Sequence, residues 1–279
     1  MCERLPPAVR VSIVAAVNEH NGSWAVILGA SSGFGSAVAI ACARKGLDVC
    51  GVHLDRRATL PEAERTKAAI EEAGRRALFF NVNAADPAKR SAVIDALAEQ
   101  ASPGAVRLLF HSLAFGSLVP LIGADPRSSA KPAQIAMTLE VMASSLVYWA
   151  QELVWRGLLG EGGRILAMTS SGSTRAMASY GPVSAAKAAL EAFVRQLALE
   201  LGPRGITANA IRAGVTDTAA LRKIPGWEQL KERAAAINPG GRNTTPEDVA
   251  RAVTLLLEPD SAWISGNVIG VDGGEDIAG

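Results

Sequence analysis

The stretch that most constrains the fold is "WAVILGASSGFGSAVAIACARKG", running from Trp24 to Gly46. An apolar run of strand length passes straight into a glycine-rich turn, and a helical pattern follows. Glycine is required where the backbone takes positive φ or where a phosphate must come close, and Gly29, Gly33 and Gly35 occupy such a turn. The helix N-terminus behind it offers unpaired N–H groups and a positive dipole end to a pyrophosphate. Ser31, Ser32 and Phe34 complete the turn and join the glycines as candidate cofactor contacts. A glycine turn without a ligand would have the same spacing. No Gly-Lys-Ser/Thr follows, which excludes a P-loop.

Strand-like and helical stretches alternate through the rest of the chain. Strands are expected at Trp24–Gly29, Asp48–Leu54, Ala77–Val82, Arg107–Ser112, Arg164–Ser170, Thr207–Ile211 and Asn267–Val271, and helices at 34–45, 61–74, 87–100, 133–157, 183–202 and 246–258. The last opens on "TTPEDVA", with Thr245 as cap and Pro246 at the first helical position. This order predicts an α/β fold: a Rossmann-type doubly wound parallel sheet of seven strands, flanked by helices on both faces. Residues 23–279 read as one domain behind an extension at 1–22. Two irregular stretches, 114–131 and 213–243, follow strand ends, where such sheets bind ligands.

Composition narrows the function classes. A net charge of +1 predicts neither nucleic acid nor an acidic membrane as partner. No apolar run reaches the ~18 residues of a membrane span. The leading segment ends in "NEHNGS" rather than a small-residue cleavage site, so it reads as a loose extension, with a signal peptide the lesser alternative; the sequons at Asn21 and Asn243 matter only on secretion. Cys2, Cys42 and Cys50 form no CxxC pair and read as reduced thiols of a cytoplasmic protein, and no metal site is expected.

The second strand ends "VHLDRR". Asp55 stands where an acidic residue takes the ribose hydroxyls of NAD, yet Arg56 and Arg57 follow at once, and two guanidiniums suit the extra phosphate of NADP. NADP(H) is favoured, with NAD(H) the alternative. A solvated Asp–Arg turn would look the same.

"YGPVSAAK" places Tyr180 and Lys187 on one helix face, ~10 Å apart along the axis. Lys187 falls inside the apolar stripe of Val183, Leu190, Val194, Leu197 and Leu201, and helical side chains lean toward the N-terminus, so the lysine reaches back toward the tyrosine. A phenol relays protons poorly until a nearby cation lowers its pKa. A core tyrosine and a Lys187–Glu191 helix pair are the structural alternatives.

Together "GASSGFG", the Tyr180–Lys187 pair, "NAIRAGVTDT" at 209–218 and "ISGNVIGVDGG" at 264–274 resemble the short-chain dehydrogenase/reductase superfamily over residues 22–275. The common branch has lysine four residues after tyrosine, a slot held here by Ser184, and Asn-Asn-Ala-Gly after the fourth strand. The present spacing and "FHSLAFG" at 110–116 instead resemble the enoyl-acyl-carrier-protein reductases, and Met142 stands where the common branch has asparagine. Many enoyl reductases carry a second tyrosine ten residues before the first; here that residue is Ser170, which matches the superfamily's catalytic serine. The NADPH-using enoyl reductases share this serine.

The resemblance implies hydride transfer to the β-carbon of an α,β-unsaturated thioester, on acyl carrier protein or coenzyme A. It implies Tyr180 as donor to the enolate oxygen, Ser170 as a second donor and Lys187 on the nicotinamide ribose. Ser112 and Leu113 would line the nicotinamide pocket, Asn83 the adenine side, and Gly214, Thr216 and Thr218 the carboxamide and phosphate. A lid at 216–236 with Ala219, Leu221, Ile224, Trp227 and Leu230 would cover the acyl chain. The low-charge helix from Ala133 to Trp155 and its neighbour 183–202 suit packing in a homotetramer. A carbonyl or 3-ketoacyl reductase is the nearest rival, and a non-catalytic cofactor-sensing protein a more distant one.

Overall fold

The computed structural model describes residues 22–278; the expected extension up to Asn21, with Cys2, lies outside them. Seven strands form one sheet: β1 (Trp24–Leu28), β2 (Asp48–His53), β3 (Ala77–Asn81), β4 (Val106–His111), β5 (Leu159–Thr169), β6 (Thr207–Ala213) and β7 (Val268–Val271). Their order is β3-β2-β1-β4-β5-β6-β7, and every pairing is parallel. Parallel strands need crossovers, and the helices that supply them cover both faces, so the inner strands are apolar without alternation. All of β1 is buried.

The helices are α1 (Gly33–Arg44), α2 (Leu60–Glu72), α3 (Pro87–Ala98), α4 (Pro132–Leu139), α5 (Ser145–Trp155), α6 (Gly181–Leu201), α7 (Trp227–Ile237), α8 (Pro246–Leu257) and the short α9 (Glu275–Ala278). On one face Val93 and Ile94 of α3, Trp149 and Leu153 of α5, and Leu190 and Val194 of α6 pack on the sheet. On the other, Val38 and Cys42 of α1 meet Val249 and Val253 of α8. The start of α8 is as the sequence predicts: Thr245 Oγ1 accepts from the Asp248 N–H and Asp248 accepts from the Thr245 N–H (2.9 Å).

Three expectations need correction. β5 begins at Leu159, ahead of the expected Arg164, because Val106 already pairs with Leu159 before the register shifts. The helix expected over 133–157 is broken by a π-helical turn at Glu140–Ser144. Hydroxyls flank it: Thr138 Oγ1 donates to the Gln134 carbonyl (2.7 Å) and Ser145 Oγ to the Val141 carbonyl (2.8 Å). Such back-bonding loosens the helical ladder where the turn widens. The stretch 213–243 is also partly ordered, with a 3₁₀ turn at Leu221–Lys223 and the whole of α7.

Candidate active site

β1 lies between β2 and β4, so the connections run in opposite directions on its two sides and leave a crevice at the strands' carboxyl ends. The glycine turn sits in that crevice. Gly29 and Gly33 have φ of +91° and +54°, a region only glycine takes without cost. A Cβ on Gly35 would stand 1.9 Å from the Gly29 carbonyl oxygen. Ser32 caps α1 in an extended conformation without turning its side chain onto the first helical N–H groups, which leaves them for a ligand. The γ-methyl of Thr218 lies 3.6 Å from where a Cβ on Gly33 would be, so Thr218 closes over the turn. This cradle fits the pyrophosphate of a dinucleotide.

Beyond it, at the end of β2, Asp55 accepts from His53 Nδ1 (2.9 Å), and its backbone exchanges hydrogen bonds with the Asn81 side chain (2.9 and 3.0 Å). Burial pushes the Asp55 carboxyl up, but hydrogen bonds from Thr59, Ser31 and His53 outweigh it and hold the pKa below the ordinary value. Arg56 and Arg57 are exposed beside it. Asn83 is exposed after β3, where its side chain accepts from the Ala85 N–H (3.0 Å).

Tyr180 caps the N-terminus of α6, preceded by Ser179 in the left-handed region at φ 59°, the one described non-glycine residue with positive φ. That conformation costs about 1 kcal/mol for a side chain and fixes how the chain enters the helix. Lys187 is buried, and its ammonium donates to the Met168 carbonyl (2.6 Å). Burial pushes its pKa down to about 8, with the Glu191 charge pulling the other way. The expected acidification of the Tyr180 phenol by Lys187 is not found. Burial pushes that phenol up, with the nearby Ser170 hydroxyl opposing; the Lys187 ammonium instead donates to Met168 and its charge acts on His111. Ser184 donates to the Gly172 carbonyl and so serves structure. Glu191, the suggested helix partner of Lys187, is buried and accepts from Thr169 Oγ1 (2.7 Å).

His111, at the end of β4, is fully buried with Nε2 2.9 Å from Ser145 Oγ. The single Ser145 proton goes to the Val141 carbonyl, so Nε2–H is the donor and Nδ1 is left a buried acceptor without a partner among the described residues. Burial and the Lys187 charge push the imidazole down to about 3, so it is neutral.

These elements surround a cavity of about 460 Å³. Tyr180 lines it, as do Ser170, Phe34, Gly214 and Thr216, while Met142 and Val183 form an apolar wall with Tyr180. Ser170 Oγ is buried there beside the Tyr180 phenol, close enough to act on its pKa though the pair falls short of hydrogen-bond geometry, so both hydroxyls face the same space. Thr216 Oγ1 donates to the Gly214 carbonyl (2.9 Å). Ser112 and Leu113, expected to line the nicotinamide pocket, do not line this cavity. The Ser112 N–H donates to the Leu28 carbonyl (2.8 Å), its own oxygen lies 2.6 Å from where a Cβ on Gly29 would be, and Leu113 packs on the core. Of the expected lid residues, Leu221, Ile224 and Leu230 line the cavity and Ala219 and Trp227 do not; Trp227 takes the Arg222 guanidinium 5.9 Å above its ring. Sequence reasoning missed Arg175, Met177, Lys223, Arg233 and Glu275, all on the cavity. The spacing of Leu230, Arg233, Ala234 and Ile237, one helical face, was the available signal.

A family model described as Enoyl-(Acyl carrier protein) reductase matches residues 29–275. The chain belongs to this family, within the short-chain dehydrogenase/reductase superfamily. The 1-cyclohexenylcarbonyl-CoA reductase of Streptomyces collinus is 30% identical over 90% of this chain and 86% of its own length. An NADPH-dependent aldehyde reductase-like protein, chloroplastic, of Arabidopsis thaliana is 31% identical over 91% of this chain and 94% of its own. Among solved structures, a short-chain dehydrogenase from Burkholderia cenocepacia J2315 in complex with NADP superposes with a TM-score of 0.77 at 28% identity, over 92% of this chain and 98% of that one. Membership makes this protein an oxidoreductase that works with a nicotinamide cofactor.

Proposed function

We propose that the protein reduces the C=C bond of a 2-enoyl thioester. The observation that carries this reading is the wall beside the phenol: Met142, 3% exposed, packs with Tyr180, Val183 and Ala186, and by the resemblance this is the slot where the superfamily's common branch has an asparagine. The Streptomyces relative is named for a 2-enoyl thioester, which supports the same chemistry.

When bound, the cofactor supplies a hydride to C3 of the substrate. The Tyr180 phenol, kept protonated at neutral pH by burial, donates to the thioester oxygen as charge develops on it. Ser170 Oγ is a second donor to that oxygen, and a solvent proton at C2 completes the reduction. Lys187 would hold the nicotinamide ribose with the N–H groups that its bond to Met168 leaves over. Met142, Met177 and Val183 keep water from the reacting carbons. In ketone reduction the oxygen sits on the carbon that receives hydride, whereas here it lies two carbons away, and setting the tyrosine at the very start of α6 is suited to that displacement. With NADPH, the crotonyl thioester is expected to be reduced faster than the acetoacetyl thioester at matched concentration, with products identified by mass. Faster formation of the 3-hydroxy product would favour the ketone reading, for which the Ser170–Tyr180 pair and the Arabidopsis relative's name speak.

NADPH is the proposed cofactor. Asp55 is engaged by His53, while Arg56 and Arg57 are exposed and able to fold onto a 2′-phosphate. Replacing both arginines with alanine should weaken NADPH binding by roughly tenfold or more, since charge-assisted contacts are lost, and leave NADH binding nearly as it was. Equal losses for both cofactors would place the phosphate elsewhere.

A single domain with a lid over 216–236 is part of this reading, as is a homotetramer. Trp155 and Leu199 are 73% and 72% exposed on α5 and α6, surfaces that a second copy would cover. Light scattering should give a multiple of 28.9 kDa; a monomer at micromolar concentration removes the claim. A cytoplasmic location is supported by Cys42 and Cys50, both free and buried, with burial pushing each thiol up to about 12. Among the described residues no helix is long and apolar enough to cross a membrane.

A further inference from the structure

Resting on that reading, we infer that the substrate has an apolar body and an anionic end, and that Lys223 and Arg233 hold the anion. The lid carries four cations close together, and the chain treats them in two ways. Arg222 and Lys231 both pair with Asp217, at 2.8 and 2.6 Å. The guanidinium and ammonium beside it hold the Asp217 carboxyl down at about 2, so that carboxylate is fully committed. Lys223 and Arg233 line the cavity instead, and their side chains have no carboxylate or other hydrogen-bond partner among the described residues.

Their placement follows from local structure. The Leu221 N–H donates to Thr218 Oγ1 (3.2 Å), which starts the 3₁₀ turn that carries Lys223; the same turn buries Leu221 and brings Ile224 to the cavity. On α7, Leu230, Arg233, Ala234 and Ile237 make one face, three apolar residues and one guanidinium, and that face lines the cavity. Lys223 and Arg233 are both exposed, so their charged ends stand in water on the open side of the cavity, where an anion entering it would meet them.

The remaining charges on the cavity are occupied. Arg175 donates to the Asp276 backbone carbonyl (2.8 Å) and pairs with its carboxylate (3.1 Å). Glu275 accepts from the Val215 N–H (2.9 Å). The cofactor's own anions are accounted for by the cradle on α1 and the arginines after β2, leaving Lys223 and Arg233 to the substrate. The anion has two chemical sources, a carboxylate at the far end of the acyl group or a phosphate on the carrier arm of the thioester.

Calorimetric titration with saturated thioesters reads this without depending on turnover. Butyryl-pantetheine is neutral, butyryl-4′-phosphopantetheine carries the phosphate, and glutaryl-pantetheine carries the carboxylate. The protein, saturated with oxidised cofactor, should bind one charged thioester about tenfold more tightly than the neutral one, the scale of charge-assisted contacts. Which one gains identifies the source. In Lys223→Ala/Arg233→Ala the preference should vanish and the three should bind alike. Equal binding of all three by the unaltered protein overturns the inference, as does a preference that survives in the variant or a loss that falls on the cofactor. Failure of C=C reduction with intact anion preference would strike the proposed reaction alone.

Discussion

Tyr180→Phe is expected to lower turnover by roughly 10²- to 10⁴-fold, the range for removing one proton donor at a developing charge, while cofactor affinity stays nearly unchanged. The phenylalanine keeps the ring that packs with Met142, Val183 and Ala186, so the fold of the site is preserved and only the hydroxyl is lost. Ser170 Oγ remains as the second donor and sets a floor under the loss. Lys187→Ala should differ in kind. It removes the donor to the Met168 carbonyl and leaves a void in the α6 core, so turnover and cofactor affinity should both fall, the affinity by on the order of tenfold. A further readout is pH. With burial holding the Lys187 ammonium at about 8, cofactor affinity should fall as pH rises through that value, and a Lys187→Met protein should lack the step. Normal turnover in Tyr180→Phe would remove the phenol from the mechanism, and equal effects of the two replacements on cofactor binding would remove the division of labour.

The legible parts of this protein were those written in local periodicity and in glycine. The strands could be read because short apolar runs alternate with helical patterns, and the inner ones are buried throughout, whereas their order in the sheet was seen only in the fold. Gly29, Gly33 and Gly35 announced the turn because each is held by a positive φ or a close approach. Lys187 could be placed because a lysine inside an apolar stripe must have a buried task. What stayed hidden depends on contacts between distant segments. Nothing in the spacing of Tyr180 and Lys187 says that the ammonium turns to Met168, a strand residue, or that burial raises the phenol. The π-helical turn depends on hydroxyls folding back on carbonyls, a choice that serine and threonine make only in context. The division of the lid cations also needed the fold, because Asp217 reaches both Arg222 and Lys231 only once α7 has packed. The Arg233 signal was present as helical spacing on α7, but it lay in a stretch dominated by glycine and proline at both ends.

Gly35→Ala is the substitution expected to disturb the most structure. The added methyl would lie 1.9 Å from the Gly29 carbonyl oxygen and 2.7 Å from its carbonyl carbon, where heavy atoms need more than 3 Å. Neither partner can yield alone. The Gly29 N–H donates to the Val52 carbonyl (2.8 Å), which ties the turn to β2, and α1 is fixed by Val38, Ala39 and Cys42 in the core with α8. The helix must lift from β1, and overpacking of this kind costs roughly 2–4 kcal/mol. In a domain of this size the melting temperature should fall by roughly 5–10 °C. The first N–H groups of α1 move with the helix, so NADPH should bind at least tenfold more weakly, by the arithmetic of losing several phosphate contacts at about 1 kcal/mol each. Gly202→Ala is the control: its φ is −54° and no atom lies within 4 Å of the added Cβ, so stability should stay level or rise slightly through the unfolded chain's lost freedom. Thermal melts with and without NADPH compare the two. If Gly35→Ala melts with the unaltered protein and still gains full stabilisation from NADPH, the contact between α1 and the strand-end turn is not what shapes the phosphate cradle.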